Sequence, residues 1–131
     1  MRTKLLTVAA IGLSLTAGAA QAQDKIKIGV LATLEGALTT LGEDALRGME
    51  VAMKQAGSKA GGKTIEVITF PTNASPDSAI RGARKLVEQD KVDIMVGPVS
   101  GSEGIAIRDY SKTQPQVTFS TGRPARWKQP M

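Results

Sequence analysis

A chain of 131 residues has room for one ordinary domain at most, and without cysteine or histidine it has no disulfide framework, thiol nucleophile or imidazole chemistry. The net charge of +5 does not signal nucleic-acid binding, because Arg2 and Lys4 at one end and Arg123, Arg126 and Lys128 at the other hold the whole excess. The body between them is neutral, with no basic stripe or aromatic platform, so no nucleic-acid partner is expected.

The chain opens with a short basic start and the apolar, Thr- and Ser-diluted run LLTVAAIGLSLTAGAA, followed by Ala20-Gln21-Ala22. That is the pattern of a secretory signal peptide over residues 1–22, cut after Ala22. The run is shorter than the roughly 20 apolar residues that cross a bilayer. No cysteine follows that could take a lipid, so the expected product is a periplasmic protein.

Lys25–Ala32, KIKIGVLA, alternates and then turns wholly apolar, which predicts a strand entering a covered sheet. Thr33–Gly42 lacks a clean period and reads as a long loop. From Glu43 the spacing predicts a helix burying Ala45, Met49, Ala52, Met53 and Ala56, stopped by Gly57. Residues 57–64, GSKAGGKT, fit the phosphate-loop pattern G-x-x-x-x-G-K-[ST]. That motif needs a strand before it and a helix after it. Here the order is reversed, so the glycines are expected to end a helix and turn the chain into the next strand.

Lys63–Phe70 is rich in β-branched residues and predicts that strand, ended by Pro71. Ser75-Pro76-Asp77 is a strong helix start, and Ala79, Ile80, Ala83, Leu86 and Val87 form the buried face behind it. A third cycle follows: a strand at Val92–Val96, the turn GPVSGSEG, and a helix over Glu103–Lys112 burying Ile105, Ala106 and Tyr110. Gln116–Phe119 begins a fourth strand. Strands alternating with helices at this spacing predict an α/β fold, a parallel sheet of βαβ units. Residues 23–122 would form it, with 123–131 a basic tail outside it.

In such a sheet ligands sit beyond the carboxyl ends of the strands, above all where strand order reverses. For a 2-1-3-4 order, the loop after strand one and the turn after strand three flank that point. In the turn, Ser100, Gly101 and Ser102 stand at the mouth of a helix whose free N–H groups attract an anion. An ordinary serine-capped turn would read the same way. Glu35, in the first loop, is a candidate partner for an ammonium group, or simply a solvated acid. Acid pairs at strand ends and the fingerprint G-x-G-x-x-G after strand one are both missing. No cofactor, metal or catalytic role is therefore expected, and the reading rests on binding.

The stretches KIKIGVLATLEGALTTLGEDALRGMEVAM, ASPDSAIRGARKLVEQDKVDIMVGPVSG and YSKTQPQVTF, taken in order, closely resemble the start of the periplasmic solute-binding proteins of branched-chain amino acid ABC importers. The likeness covers about Lys25 to Phe119. It implies the partial N-terminal lobe of a type I periplasmic binding protein fold, a monomer that closes on an amino acid or related carboxylate and presents it to a membrane permease. Carried onto this chain, the ligand contacts are Ser100, Gly101, Ser102, Ser120 and Thr121. Gly101 stands where a serine is common, and Leu41 where many relatives have a tyrosine against the ligand. The resemblance also implies a longer, two-lobed protein, so this chain is expected to be truncated or frame-shifted and impaired in binding. An extracytoplasmic sensor module and a Rossmann-like nucleotide-using enzyme domain are the alternatives.

Overall fold

The computed structural model describes residues 25–120; residues 1–22, expected to be a signal peptide, Thr121 and the basic tail lie outside the described residues. Strand β1 (Lys25–Thr33) is central. It pairs in parallel with β3 (Lys63–Thr72) on one side and β4 (Ile94–Val96) on the other, and β5 (Thr118–Ser120) continues the sheet beside β4. A two-residue strand β2 (Lys59–Ala60) lies antiparallel on the outer edge of β3, giving the order β2-β3-β1-β4-β5. The four parallel strands thus stand in the order 2-1-3-4, the one for which the loop after strand one and the turn after strand three flank the point of reversal.

Helices α2 (Pro76–Arg84) and α3 (Gly101–Ser111) cover one face. Alternation along the strands sends Leu31 and Met95 to that side, where they join Ala79, Ala83, Leu86 and Ile107 in a core from which water is essentially excluded. Phe70 and Phe119 pack against its margin, and Tyr110 meets Phe119 edge to face at 6.2 Å. The predicted apolar face of α2 is the observed one. Its start also follows the sequence: Pro76 takes the first helical position and the Ser75 hydroxyl accepts from the Ser78 N–H at 3.3 Å. Beyond Arg84 the helix widens into a π turn over Lys85–Gln89.

Helix α1 (Thr39–Gln55) lies on the other face. It begins four residues before the expected Glu43, after a 3-10 turn at Gly36–Leu38, so most of the predicted loop is helical. Gly42 explains the early start, since a Cβ there would overlap the Thr33 carbonyl and only glycine lets the helix sit on the end of β1. The inward stripe is consequently Gly42, Leu46, Met49 and Met53, while Ala45, Ala52 and Ala56 are exposed. The two methionines are only half-buried and line a groove of about 460 Å³ with Leu46, Ile65, Val67 and Thr69.

Three other expectations change. Strand β3 runs through Pro71 to Thr72, which a proline permits because no further strand flanks β3 there and the missing N–H falls on an open edge. In α3 the buried face is Glu103 and Ile107, four residues apart, which turns Ile105 outward at 58% exposure and leaves Ala106 and Tyr110 half-buried. The fourth strand is shifted to Thr118–Ser120, and the third shortens to Ile94–Val96. GSKAGGKT folds as a helix end followed by a hairpin: Gly57 stops α1, and Gly61-Gly62, both at positive φ, turn β2 into β3. This places it at the amino end of the sheet.

Candidate functional site

At the carboxyl end of the sheet, β1 and β4 are neighbours whose connections lead to helices on opposite faces, which makes this the topological switch point. The turn after β4 brings Ser100, Gly101 and Ser102 together at the start of α3. Ser100 is buried at 7% exposure, whereas Gly101 and Ser102 are exposed. A Cβ at Gly101 would meet nothing within 4 Å, so the fold does not demand glycine there and a ligand has room to approach.

The serines do not behave as caps. Ser100 holds the N-cap position, yet its hydroxyl accepts from no N–H of the helix. It lies 2.9 Å from the Ser102 Oγ and 3.4 Å from the Ala74 carbonyl, to which Ser102 donates at 2.9 Å. Ala74 holds this carbonyl in place with a left-handed φ of 66°, a conformation costing a non-glycine residue roughly 1–2 kcal/mol. The N–H groups of Gly101, Ser102 and Glu103 accordingly find no side-chain acceptor among the described residues. Those of Gly101 and Ser102 belong to exposed residues at the positive end of the helix dipole.

Behind them Glu103 is wholly buried. Its Oε2 accepts from the Thr33 hydroxyl at 3.0 Å, Thr33 in turn lies 3.4 Å from the Thr72 hydroxyl, and Oε1 has no partner among the described residues. Thr33 and Thr72 are the last residues of β1 and β3, so this chain of groups ties the ends of both strands to α3. The sequence reading missed Thr33, Thr72, Ala74 and Glu103. Ser100-x-x-Glu103 is a legible capping-box pattern that would have flagged two of the members of this network, while nothing in the sequence marks Ala74.

The remaining predicted residues are more dispersed. Ser120 ends β5, exposed, and its carbonyl accepts from the Gly97 N–H at 3.0 Å, which sets β5 against the start of the serine turn. Thr121 lies outside the described residues. Glu35 is exposed just past β1, with its N–H bonded to the Thr72 carbonyl at 3.2 Å. Leu41 belongs to the first turn of α1 rather than to a loop and is 52% exposed. Ser100, Gly101 and Ser102 thus form one cluster, Ser120 borders it, and Glu35 and Leu41 stand on the connection leaving β1.

The sequence profile of a family described as periplasmic binding protein matches residues 25–130, taking in most of the basic tail as well as the described domain. Leu/Ile/Val-binding protein homolog 7 of Brucella abortus is 31% identical over 110 residues, which cover 83% of this chain and 28% of that protein. Among solved structures, an ABC transporter substrate-binding protein from Sphaerobacter thermophilus superposes with a TM-score of 0.68 at 36% identity over 74% of this chain and 26% of its own. The solute-binding protein of an ABC transporter from Rhodopseudomonas palustris, in complex with 3,4-dihydroxybenzoic acid, gives 0.70 at 28% identity, covering 75% and 27%. The chain therefore spans less than a third of the length of these relatives. With the profile match running over most of its length and the fold superposing on these structures, the chain belongs to the periplasmic binding protein family of ABC transporter substrate-binding proteins.

Proposed function

We propose that this chain is the first part of an extracytoplasmic solute-binding protein that captures a small carboxylate for a membrane ABC permease, acting as a monomer after removal of residues 1–22. The observation that carries the reading is the uncapped first turn of α3 at the switch point, where the exposed Gly101 and Ser102 offer their N–H groups to an open approach beside the two serine hydroxyls. The branched-chain amino acids named in one relative and the dihydroxybenzoic acid bound in another share a carboxylate, the group such a turn receives. Glu35 and Leu41 are proposed to face the rest of the ligand, and Ser120 with Thr121 to border it.

The described lobe supports weak binding by itself. Two or three charge-assisted hydrogen bonds contribute roughly 1.5–3 kcal/mol each, against an association cost of about 4 kcal/mol or more. The surplus corresponds to millimolar rather than micromolar affinity, which would require about −8 kcal/mol. Titrating the purified chain with leucine and with 3,4-dihydroxybenzoate while following backbone amide resonances tests this. The expected result is saturable shifts centred on Gly101, Ser102 and Glu103 with one or both solutes; no shift there with either solute overturns the assignment.

A further inference from the structure

The first turn of α3 carries the sequence of a closed cap and the structure of an open one. In a capping box the N-cap serine accepts from the N–H of the third helical residue, and a glutamate at that residue accepts from the N–H of the serine. Ser100 and Glu103 occupy those two places. Neither bond forms. The Ser100 hydroxyl is engaged with Ser102 and the Ala74 carbonyl, and Glu103 is turned inward to the Thr33 hydroxyl. The Ser100 N–H meets no acceptor among the described residues.

The inward position of Glu103 is held by little. Its carboxylate is fully buried, takes one hydrogen bond at 3.0 Å, and leaves Oε1 without any. A buried carboxylate oxygen with no donor is unfavourable, and a partner N–H waits on the same turn of the same helix. What opposes the return of Glu103 is the single bond from Thr33, a residue fixed by its place at the end of β1 and covered on the other face by Gly42 of α1. We propose that Thr33 is the positioning residue of this site: by holding Glu103 inward it keeps the Glu103 carboxylate from capping the Ser100 N–H, and so leaves that N–H of the serine turn free for a ligand. The inference extends the carboxylate-binding reading, yet it concerns the unliganded chain and can be tested whichever solute is bound.

The test is backbone amide hydrogen exchange on the full chain. In the wild type the Ser100 amide is expected to exchange as an uncapped group. In Thr33→Val it is expected to slow about fivefold, the protection that a capping interaction of ordinary strength gives, while Thr33→Ser retains the wild-type rate. Adding Glu103→Ala to Thr33→Val should return the Ser100 amide to the fast rate. A residue that only stabilises the fold would give the opposite sign, faster exchange spread over β1 and β3. Protection of the Ser100 amide already in the wild type, or an unchanged rate there in a folded Thr33→Val, overturns the proposal. Should Thr33→Val not fold, Glu103→Ala alone decides: an unchanged Ser100 amide supports the open cap, and acceleration there overturns it. If leucine and 3,4-dihydroxybenzoate leave the amides of the serine turn unmoved while the exchange pattern follows expectation, it is the solute-binding reading that fails.

Discussion

Helices α2 and α3 pack side by side on one face of the sheet, each follows a parallel strand, and each begins with a serine at the N-cap. At α2 the serine caps: Ser75 accepts from the Ser78 N–H, Pro76 removes a donor that would otherwise need a partner, and the end is closed. At α3 the serine turns away, the glutamate three residues on turns away with it, and the end stays open. Local sequence would make both starts structural. What separates them is the neighbourhood, because Thr33 and the Ala74 carbonyl, brought to α3 from two other connections, compete for its capping groups. A helix start that gives up its own cap although the residues for it are present is more informative about function than the presence of serines and glycines.

The comparison breaks most severely if α3 loses its anchor. Ile107 is fully buried beneath the helix, so Ile107→Ala should cost about 2–4 kcal/mol and displace the open turn together with the core, whereas Ile105→Ala on the exposed side should stay within about 0.5 kcal/mol. Urea unfolding midpoints of the two variants measure the contrast. Similar losses for both would mean that α3 does not sit on the sheet through Ile107.

These same residues show how far the sequence could be read. Ile107 and Ile105 differ only by two positions in a helix whose apolar residues run nearly all round it, so periodicity alone assigned the wrong one to the core. For α2 the apolar stripe is clean, and both its face and its cap were legible. Parallel pairing followed from the βαβ alternation, yet the short β2 did not, since two residues and a Gly-Gly turn carry too little pattern to separate a hairpin from a loop. Glycines at 36 and 42 made the start of α1 look like a loop, although Gly42 serves a close helix-to-strand contact. The serine turn was legible as a candidate because it lies after a strand and before a helix. The diversion of its capping groups was not, because it depends on Thr33, Thr72 and Ala74, which are at least 26 positions away in the chain.

A direct test exchanges the roles of the two serines. Ser75→Ala removes a formed cap and should lower stability by about 1 kcal/mol with no effect on carboxylate titration. Ser100→Ala removes no cap, so its stability change should be smaller than that of Ser75→Ala, while the leucine- or dihydroxybenzoate-dependent shifts at Gly101 and Ser102 weaken. Thermal unfolding and amide titration of the two variants separate the cases. A larger stability loss at Ser100 than at Ser75 would show that the α3 cap is closed in solution.

The smallest effect is expected where the two helices end rather than where they begin, and there they are joined instead of contrasted. Tyr110, in the last turns of α3, donates from its hydroxyl to Glu88 Oε1 at 3.2 Å, and Glu88 lies in the π turn that prolongs α2. Burial of the ring, reinforced by the neighbouring Glu88 charge and the hydrogen bond to it, pushes the Tyr110 phenol up from 10.0 to about 12. The sign follows from proton counting: between these values the folded chain keeps a proton that the unfolded chain has lost, so stability is fully present below pH 10 and falls as pH rises towards 12. Lysines titrate in the same window, which makes the difference between proteins the useful quantity. Tyr110→Phe should lose less stability than the wild type between about pH 8 and about pH 11.5, and Glu88→Gln should fall between them because it removes the charge but leaves the burial. Equal losses in all three, read from urea midpoints, would mean that the phenol is as free in the fold as in the unfolded chain, and that α2 and α3 are not coupled through this pair.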